Sequence, residues 1–417
     1  MRVLLVTDWL YPYCSANSVI VFQIARELHD KFNCTVTIVG FDAPIFWSHE
    51  NELDFAQIVC LKDLSDYQKM ASKTKNVFLQ VLYRLKKLSR IRIWIEIHFF
   101  KQELYIEYVR TFRKLKLSEF DCAVAFSTPF DSIKALLSPR QQKIPVIAFM
   151  LDPWSTLWTK QDNAEYEIEE RKMIDEVSAL LVTKQLYSDY EHKLQLKKTY
   201  LNKMNIFEFP NIERKPAHCE KRAICFNKEY INCVFAGCLY DDIRNPKYLI
   251  DLFRQFETEN IRLHIFGRIR GAIDCMSHLP SNVIYHGNVS SEEADLYMSS
   301  ADILINVGNT VLNLLPSKIL TYISLGKPIL NIIKSPECPT LPYMEKYPLA
   351  LNVLETPEVK AEDVERVREF LLTSRGKQIP FEEIQKQYYT CTPEYVGKQL
   401  YDAICQVVEE NRKKDDQ

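Results

Sequence analysis

Short apolar runs rich in Val and Ile alternate with amphipathic helical patterns along this chain, and the alternation runs through twice. In the first half, Arg2–Thr7, Thr35–Gly40, Asp121–Phe126, Pro145–Met150 and Ala179–Thr183 read as strands. Among them, Ser18–Asp30 places Val21, Ile24, Ala25 and Leu28 on one helical face. The second half offers Ile231–Ala236, Arg262–Phe266, Asn282–His286, Asp302–Val307 and Pro328–Ile333. The helix after Asn245-Pro246 carries Leu249, Leu252, Phe253 and Phe256 at helical spacing, with proline opening it. Strands apolar on both faces and separated by helices belong in a parallel sheet covered on both sides. The expected fold class is therefore α/β, with two Rossmann-like domains.

At 417 residues the chain exceeds one ordinary core. Phe207–Glu220, with Pro210, Asn211, Pro216 and His218, lacks periodicity and marks the boundary. The expected domains are 1–210 and 221–390, followed by a helix and polar tail at 391–417. That last helix is expected to pack back on the N-terminal domain.

Lysine plus arginine (53) nearly balance aspartate plus glutamate (55), which argues against a dedicated nucleic-acid binder. The first apolar run stops at Asp8, too short for a signal peptide, and no run approaches the ~18 apolar residues of a membrane span. The expectation is a cytoplasmic protein with its 12 cysteines reduced. Their densest group, His218, Cys219, Cys225, Cys233 and Cys238, fits no zinc spacing, so no metal is expected there.

Glycine is scarce, at 9 residues, yet Gly237, Gly267, Gly271, Gly287, Gly308 and Gly326 all fall in the second half. Within this stretch, Asn309–Ile329 is the most informative segment. Pro316 can open a helix, Gly326 can close it, and Pro328 forbids its continuation. Backbone N–H groups near Pro316, Ser317 and Lys318 would then converge, with the Lys318 charge beside them, on an anion such as a diphosphate. Arg244 lies in the loop after the first strand of this half, where ligands of open α/β sheets gather and where a guanidinium can grip phosphate. Phe266-Gly267-Arg268 forms a third strand-end loop.

At this point the chain resembles the GT-B-fold glycosyltransferases, especially retaining enzymes of the family 4 type. The likeness rests on Val-Leu-Leu-Val-Thr-Asp-Trp-Leu-Tyr-Pro with a following Ala-Arg-Glu-Leu, then Phe-Ala-Gly-Cys-Leu, Leu-His-Ile-Phe-Gly, Asn-Val-Ile-Tyr-His-Gly and Ala-Asp-Ile-Leu-Ile-Asn. It ends with Pro-Ser-Lys-Ile-Leu-Thr-Tyr-Ile-Ser-Leu-Gly-Lys-Pro-Ile. The resemblance implies two domains facing a cleft, with the acceptor on the first and a nucleotide sugar on the second, UDP- or GDP-linked, and no metal or other cofactor. Arg244 and Lys318 would neutralise the departing diphosphate. Gly237, Gly267, Arg268, Leu315, Pro316 and Ser317 would lie along the donor. The glutamates that commonly flank the Pro316–Gly326 helix in the family are replaced here by Asn313 and Thr321, which would meet the sugar as neutral groups. That departure leaves retention or inversion, and turnover itself, open.

For the acceptor side the resemblance points to a residue at a strand end. Asp152, two residues after the run ending at Met150, is placed to take a proton from an attacking hydroxyl. Trp154 and Trp158 offer rings that stack on a sugar or pack the cleft wall. Tyr11, Ser15, Asn17 and Ser18 share the first loop, where helix capping is the competing role. Val77–Lys116 is basic, aromatic and helical in pattern, and suits either an anionic membrane surface or the charged face of a packed helix pair.

The leading expectation is a glycosyltransferase acting on a glycan or lipid-linked acceptor in surface-polysaccharide or glycolipid synthesis, peripheral to the membrane. Two alternatives stand beside it. One is a binding subunit that keeps the fold without turnover, and the other is a nucleotide-sugar epimerase.

Overall fold

The computed structural model describes residues 1–10, 16–41, 54–61, 101–127, 130–138, 144–152, 154–155, 164–214, 226–271, 273–312 and 314–415. The chain divides into two compact units, Met1–Pro210 with Pro393–Gln417, and Asn211–Thr392.

The first unit is built on a seven-stranded sheet. Its strands are β1 (Arg2–Trp9), β2 (Thr35–Phe41), β3 (Ala56–Leu61), β4 (Cys122–Phe126), β5 (Val146–Met150), β6 (Ala179–Thr183) and β7 (Met204–Phe207). They lie in the order β3-β2-β1-β4-β5-β6-β7, and every pairing is parallel. Strands β4, β5 and β6 are buried at every position, as apolar strands covered on both faces must be. The helix Ala16–Asp30 follows β1 and packs against the C-terminal helix Pro393–Asp415. There Phe32 stacks on Tyr401 at 4.2 Å, and Gly397 leaves room for the Glu27 side chain. The chain thus returns to its first unit at the end.

The second unit holds a six-stranded sheet of β8 (Ile231–Ala236), β10 (Ile261–Phe266), β12 (Val283–Gly287), β13 (Ile303–Val307), β14 (Ile329–Ile333) and β15 (Ala350–Leu354). Its order is β12-β10-β8-β13-β14-β15, again all parallel. Beyond the ends of β8 and β10, the short strands β9 (Leu239–Tyr240) and β11 (Ile269–Arg270) pair as a separate ledge. Asn306, Asn331 and Asn352 stand side by side across β13, β14 and β15 and bond through their amides at 2.7 and 2.8 Å. That ladder satisfies polar groups which would otherwise be costly to bury.

In both sheets the first strand lies inside the sheet, with later strands added on one side and then on the other. The reversal sits between β1 and β4 in the first unit and between β8 and β13 in the second. Such a switch point opens a crevice at the carboxyl edge. Strands β3, β7 and β15, which the apolar pattern alone does not mark, are all sheet edges. Among the described residues no helix is long and apolar enough to cross a membrane.

Candidate functional site

In the second unit the switch point is built from three loops. After β8 and β10 the chain turns outward into the ledge, and the two turns touch. Gly267 has φ 130°, and a Cβ there would run into the carbonyl of Gly237, so only glycine fits. Gly237 N–H donates to the Phe266 carbonyl at 2.9 Å, and Gly267 N–H to the Gly287 carbonyl at 2.7 Å. Arg268 projects into solvent with its Nε 3.3 Å from Asn288 Oδ1.

Arg244 sits between these turns and the loop after β13. Its Nε donates to Asn309 Oδ1 at 2.9 Å and its guanidinium reaches the Cys238 carbonyl at 3.4 Å. Asn309 is 1 % exposed, and its own amide holds the Leu314 carbonyl at 3.1 Å. Two backbone links tie the same loops, Thr310 N–H to the Ile243 carbonyl at 2.9 Å and Tyr240 N–H to the Arg244 carbonyl at 3.3 Å. Arg244 thus bridges the switch point through Asn309. Burial lowers its pKa, and the groups that oppose this shift are Tyr240, Tyr322 and Cys238 rather than a carboxylate. Among the described residues no carboxylate pairs with it. Asn309 and the Cys238 carbonyl give it only neutral acceptors, so among the described residues its charge is left for an incoming anion to pair.

The helix after this loop runs Lys318–Ser324, with Ser317 as its N-cap position. Pro316 therefore lies one residue before the cap instead of opening the helix, and accepts the first tight turn from Ile319 N–H at 2.9 Å. The helix has only 7 residues, so the positive charge at this edge comes chiefly from side chains rather than from the helix dipole. Tyr322 anchors it. Its buried hydroxyl accepts from Ala236 N–H and donates to the Ala236 carbonyl, both at 3.1 Å, at the last residue of β8. Gly326, φ 71°, ends the helix in the left-handed conformation. Leu315 and Pro316 are buried, while Ser317, Lys318 and Thr321 are half-buried.

The first unit repeats the plan with other chemistry. Asn17, in the first turn of the helix Ala16–Asp30, donates from Nδ2 to the Ser127 carbonyl at 3.1 Å, joining the elements that follow β1 and β4. Ser127 is fully buried, and its Oγ accepts the N–H groups of Leu151 at 2.7 Å and Asp152 at 3.1 Å. Asp152 is thereby held at the end of β5, half-buried. Just beyond it, the fully buried Glu170 accepts from Ser155 N–H at 2.9 Å, Trp154 N–H at 3.3 Å and Tyr190 Oη at 2.7 Å.

Trp154 corrects one sequence-based expectation. It is 2 % exposed, stacked on Phe130 at 4.6 Å with Lys134 Nζ 4.8 Å from its ring centre, so it packs the core and leaves no face for a sugar. Tyr11, Ser15, Trp158, Asn313, His218, Cys219 and Cys225 lie outside the described residues, as does 77–100 of the basic stretch. Among the described residues no three His, Cys, Asp or Glu side chains converge as a metal site would. Asn309 and Ser127 are the residues that sequence reasoning missed. Ser127 directly follows the fully buried β4 and Asn309 stands two residues past the fully buried β13, positions that no local pattern singles out.

No family model and no curated protein matches the sequence. Solved structures do match in fold. A glycosyltransferase from Rickettsia africae aligns with a TM-score of 0.59 and 11% identity over 98% of each chain. The lipopolysaccharide outer core galactosyltransferase WaaB aligns at 0.56 and 12%, over 97% of this chain and 99% of its own. The UDP-GlcNAc 2-epimerase from Neisseria meningitidis, bound to UDP-GlcNAc, aligns at 0.53 and 13%, over 97% and 100%. The likeness spans both units and is one of fold, the GT-B fold with its two Rossmann-like domains.

Proposed function

We propose that this chain is a glycosyltransferase that takes a sugar from a nucleotide-sugar donor, UDP- or GDP-linked, and passes it to a hydroxyl acceptor. The observation that carries the reading is Arg244, a half-buried guanidinium without a carboxylate partner among the described residues, fixed across a switch point by Asn309. A nucleotide sugar reacts by breaking the bond between the anomeric carbon and the diphosphate oxygen. Negative charge then grows on the leaving phosphate, and fixed cations stabilise that charge where they are already oriented. Arg244 and Lys318 supply it without a metal in this reading.

The acceptor hydroxyl must lose a proton as it attacks. We assign that proton to Asp152, whose backbone Ser127 holds at the end of β5. The fold is shared with a galactosyltransferase of lipopolysaccharide core, and that supports a glycan or glycolipid acceptor. The helix Lys101–Lys114 exposes Arg110, Arg113 and Lys114, with Ile106 40 % exposed. That face supports docking from the cytoplasm on an anionic bilayer that carries a lipid-linked acceptor.

The test is a thermal-shift screen of UDP, GDP, ADP, CMP and their sugar conjugates in EDTA, followed by a transfer assay with the nucleotide that binds. One nucleotide should raise the melting temperature, and Lys318→Ala should abolish the rise. An epimerase would convert the sugar nucleotide with no acceptor present, and a binding subunit would leave it intact whatever the acceptor.

A further inference from the structure

We infer that Lys334 is a positioning residue for the anion site, holding the Arg244 loop from the far side while its own charge is neutralised by Glu355. This rests on the reading of Arg244 as the diphosphate ligand.

Lys334 directly follows β14, and its side chain is 7% exposed. Its Nζ donates to the backbone carbonyl of Asn245 at 2.9 Å and pairs with Glu355, the residue after β15. Glu355 is set by its own N–H, which donates to the Ile333 carbonyl at 2.9 Å. Asn245 adjoins Arg244 and organises the turn, with its Oδ1 accepting from Lys247 N–H at 2.9 Å and its Nδ2 donating to the Asp241 carbonyl at 3.2 Å. Arg244 is therefore gripped at both neighbours, at Ile243 by Thr310 from the β13 side and at Asn245 by Lys334 from the β14 side.

The two cations divide the work by their partners. Lys334 already has a carboxylate, so it adds little net charge to the crevice and offers an anion no advantage over Glu355. Arg244 has none among the described residues. A buried ammonium that reaches a single backbone carbonyl serves geometry, and the carbonyl it reaches belongs to Asn245, the residue after Arg244.

The experiment is calorimetric titration of inorganic pyrophosphate into the intact chain, wild type against Lys334→Met/Glu355→Gln, the paired change that leaves no lone buried charge. Affinity should fall about tenfold, the order expected when a residue acts through its neighbour. The same paired change in an Arg244→Ala background should cost nothing further, because the interaction it supports is gone. Lys334→Arg, which keeps a donor and the charge, should lose less affinity than the paired variant. Should the paired variant not fold, Lys334→Gln is read in the same cycle. Unchanged affinity, an additive loss with Arg244→Ala, or a wild type that binds no pyrophosphate would overturn the inference. A wild type that binds pyrophosphate but transfers no sugar would overturn the proposed function and leave this inference standing.

Discussion

The two units share a strand order up to their sixth strand, and at each reversal an asparagine spans the gap, yet the ionisable residues held beside those asparagines, Arg244 and Asp152, are of opposite sign. In the second unit Asn309 accepts from a guanidinium. In the first, Asn17 donates to a backbone carbonyl, and the Ser127 hydroxyl beside it fixes the chain at a carboxylate, Asp152. Topology therefore decides where a crevice opens, and a few side chains decide what it receives. A diphosphate calls for the cationic edge, and a hydroxyl losing its proton calls for the acidic one. The difference between the edges is the chemical content of the proposal.

The contrast breaks most readily at Arg244. Arg244→Ala should weaken nucleoside diphosphate binding by about 1.5–3 kcal/mol, ten- to a hundredfold, in a calorimetric titration. Ser127→Ala in the other unit should leave that affinity unchanged. It should instead slow sugar transfer and cost about 1–3 kcal/mol of stability, because the Leu151 and Asp152 amides lose their acceptor. Equal effects of both changes on binding would erase the division of labour.

Acid should separate the units further. Burial, aided by His286 and Arg262, pushes the His264 pKa down to about 4 from its ordinary 6.5, and burial also lowers His286. Below pH 6.5 the unfolded chain takes up a proton that the folded second unit refuses. Stability should thus fall from pH 6.5 toward 4, by at most about 1.4 kcal/mol per pH unit from His264. Thermal unfolding at pH 7 and 5 checks this, with His264→Gln expected to flatten the dependence. The smallest effect is expected from Tyr322→Phe, which removes the bonds between the helix and β8. It should lower stability by about 1 kcal/mol and loosen nucleotide binding only slightly.

The central strands were legible because burial on both faces leaves them continuously apolar, as in Cys122–Phe126 and Ile303–Val307. The edge strand Ala56–Leu61 carries half-exposed residues and a glutamine, so its pattern fades into that of a loop. Arg244 and Asp152 were legible as charges in loops that follow strands, and Lys318 as a charge at the start of a helix, with their roles in the site proposed. Asn309 and Ser127 were not, since their importance lies in contacts across 65 and 25 positions of chain that no local pattern encodes. Trp154 misled for the opposite reason. An aromatic next to a strand-end acid reads as a sugar platform, but Phe130 and Lys134 claim its ring.

The central claim is that the cationic edge alone takes the nucleotide. Hydrogen–deuterium exchange of the intact chain, with and without saturating UDP or GDP, tests it directly. Protection should appear in 237–246 and 308–318 and leave 146–152 unchanged. Protection centred on 146–152, or none at either edge, would contradict the account.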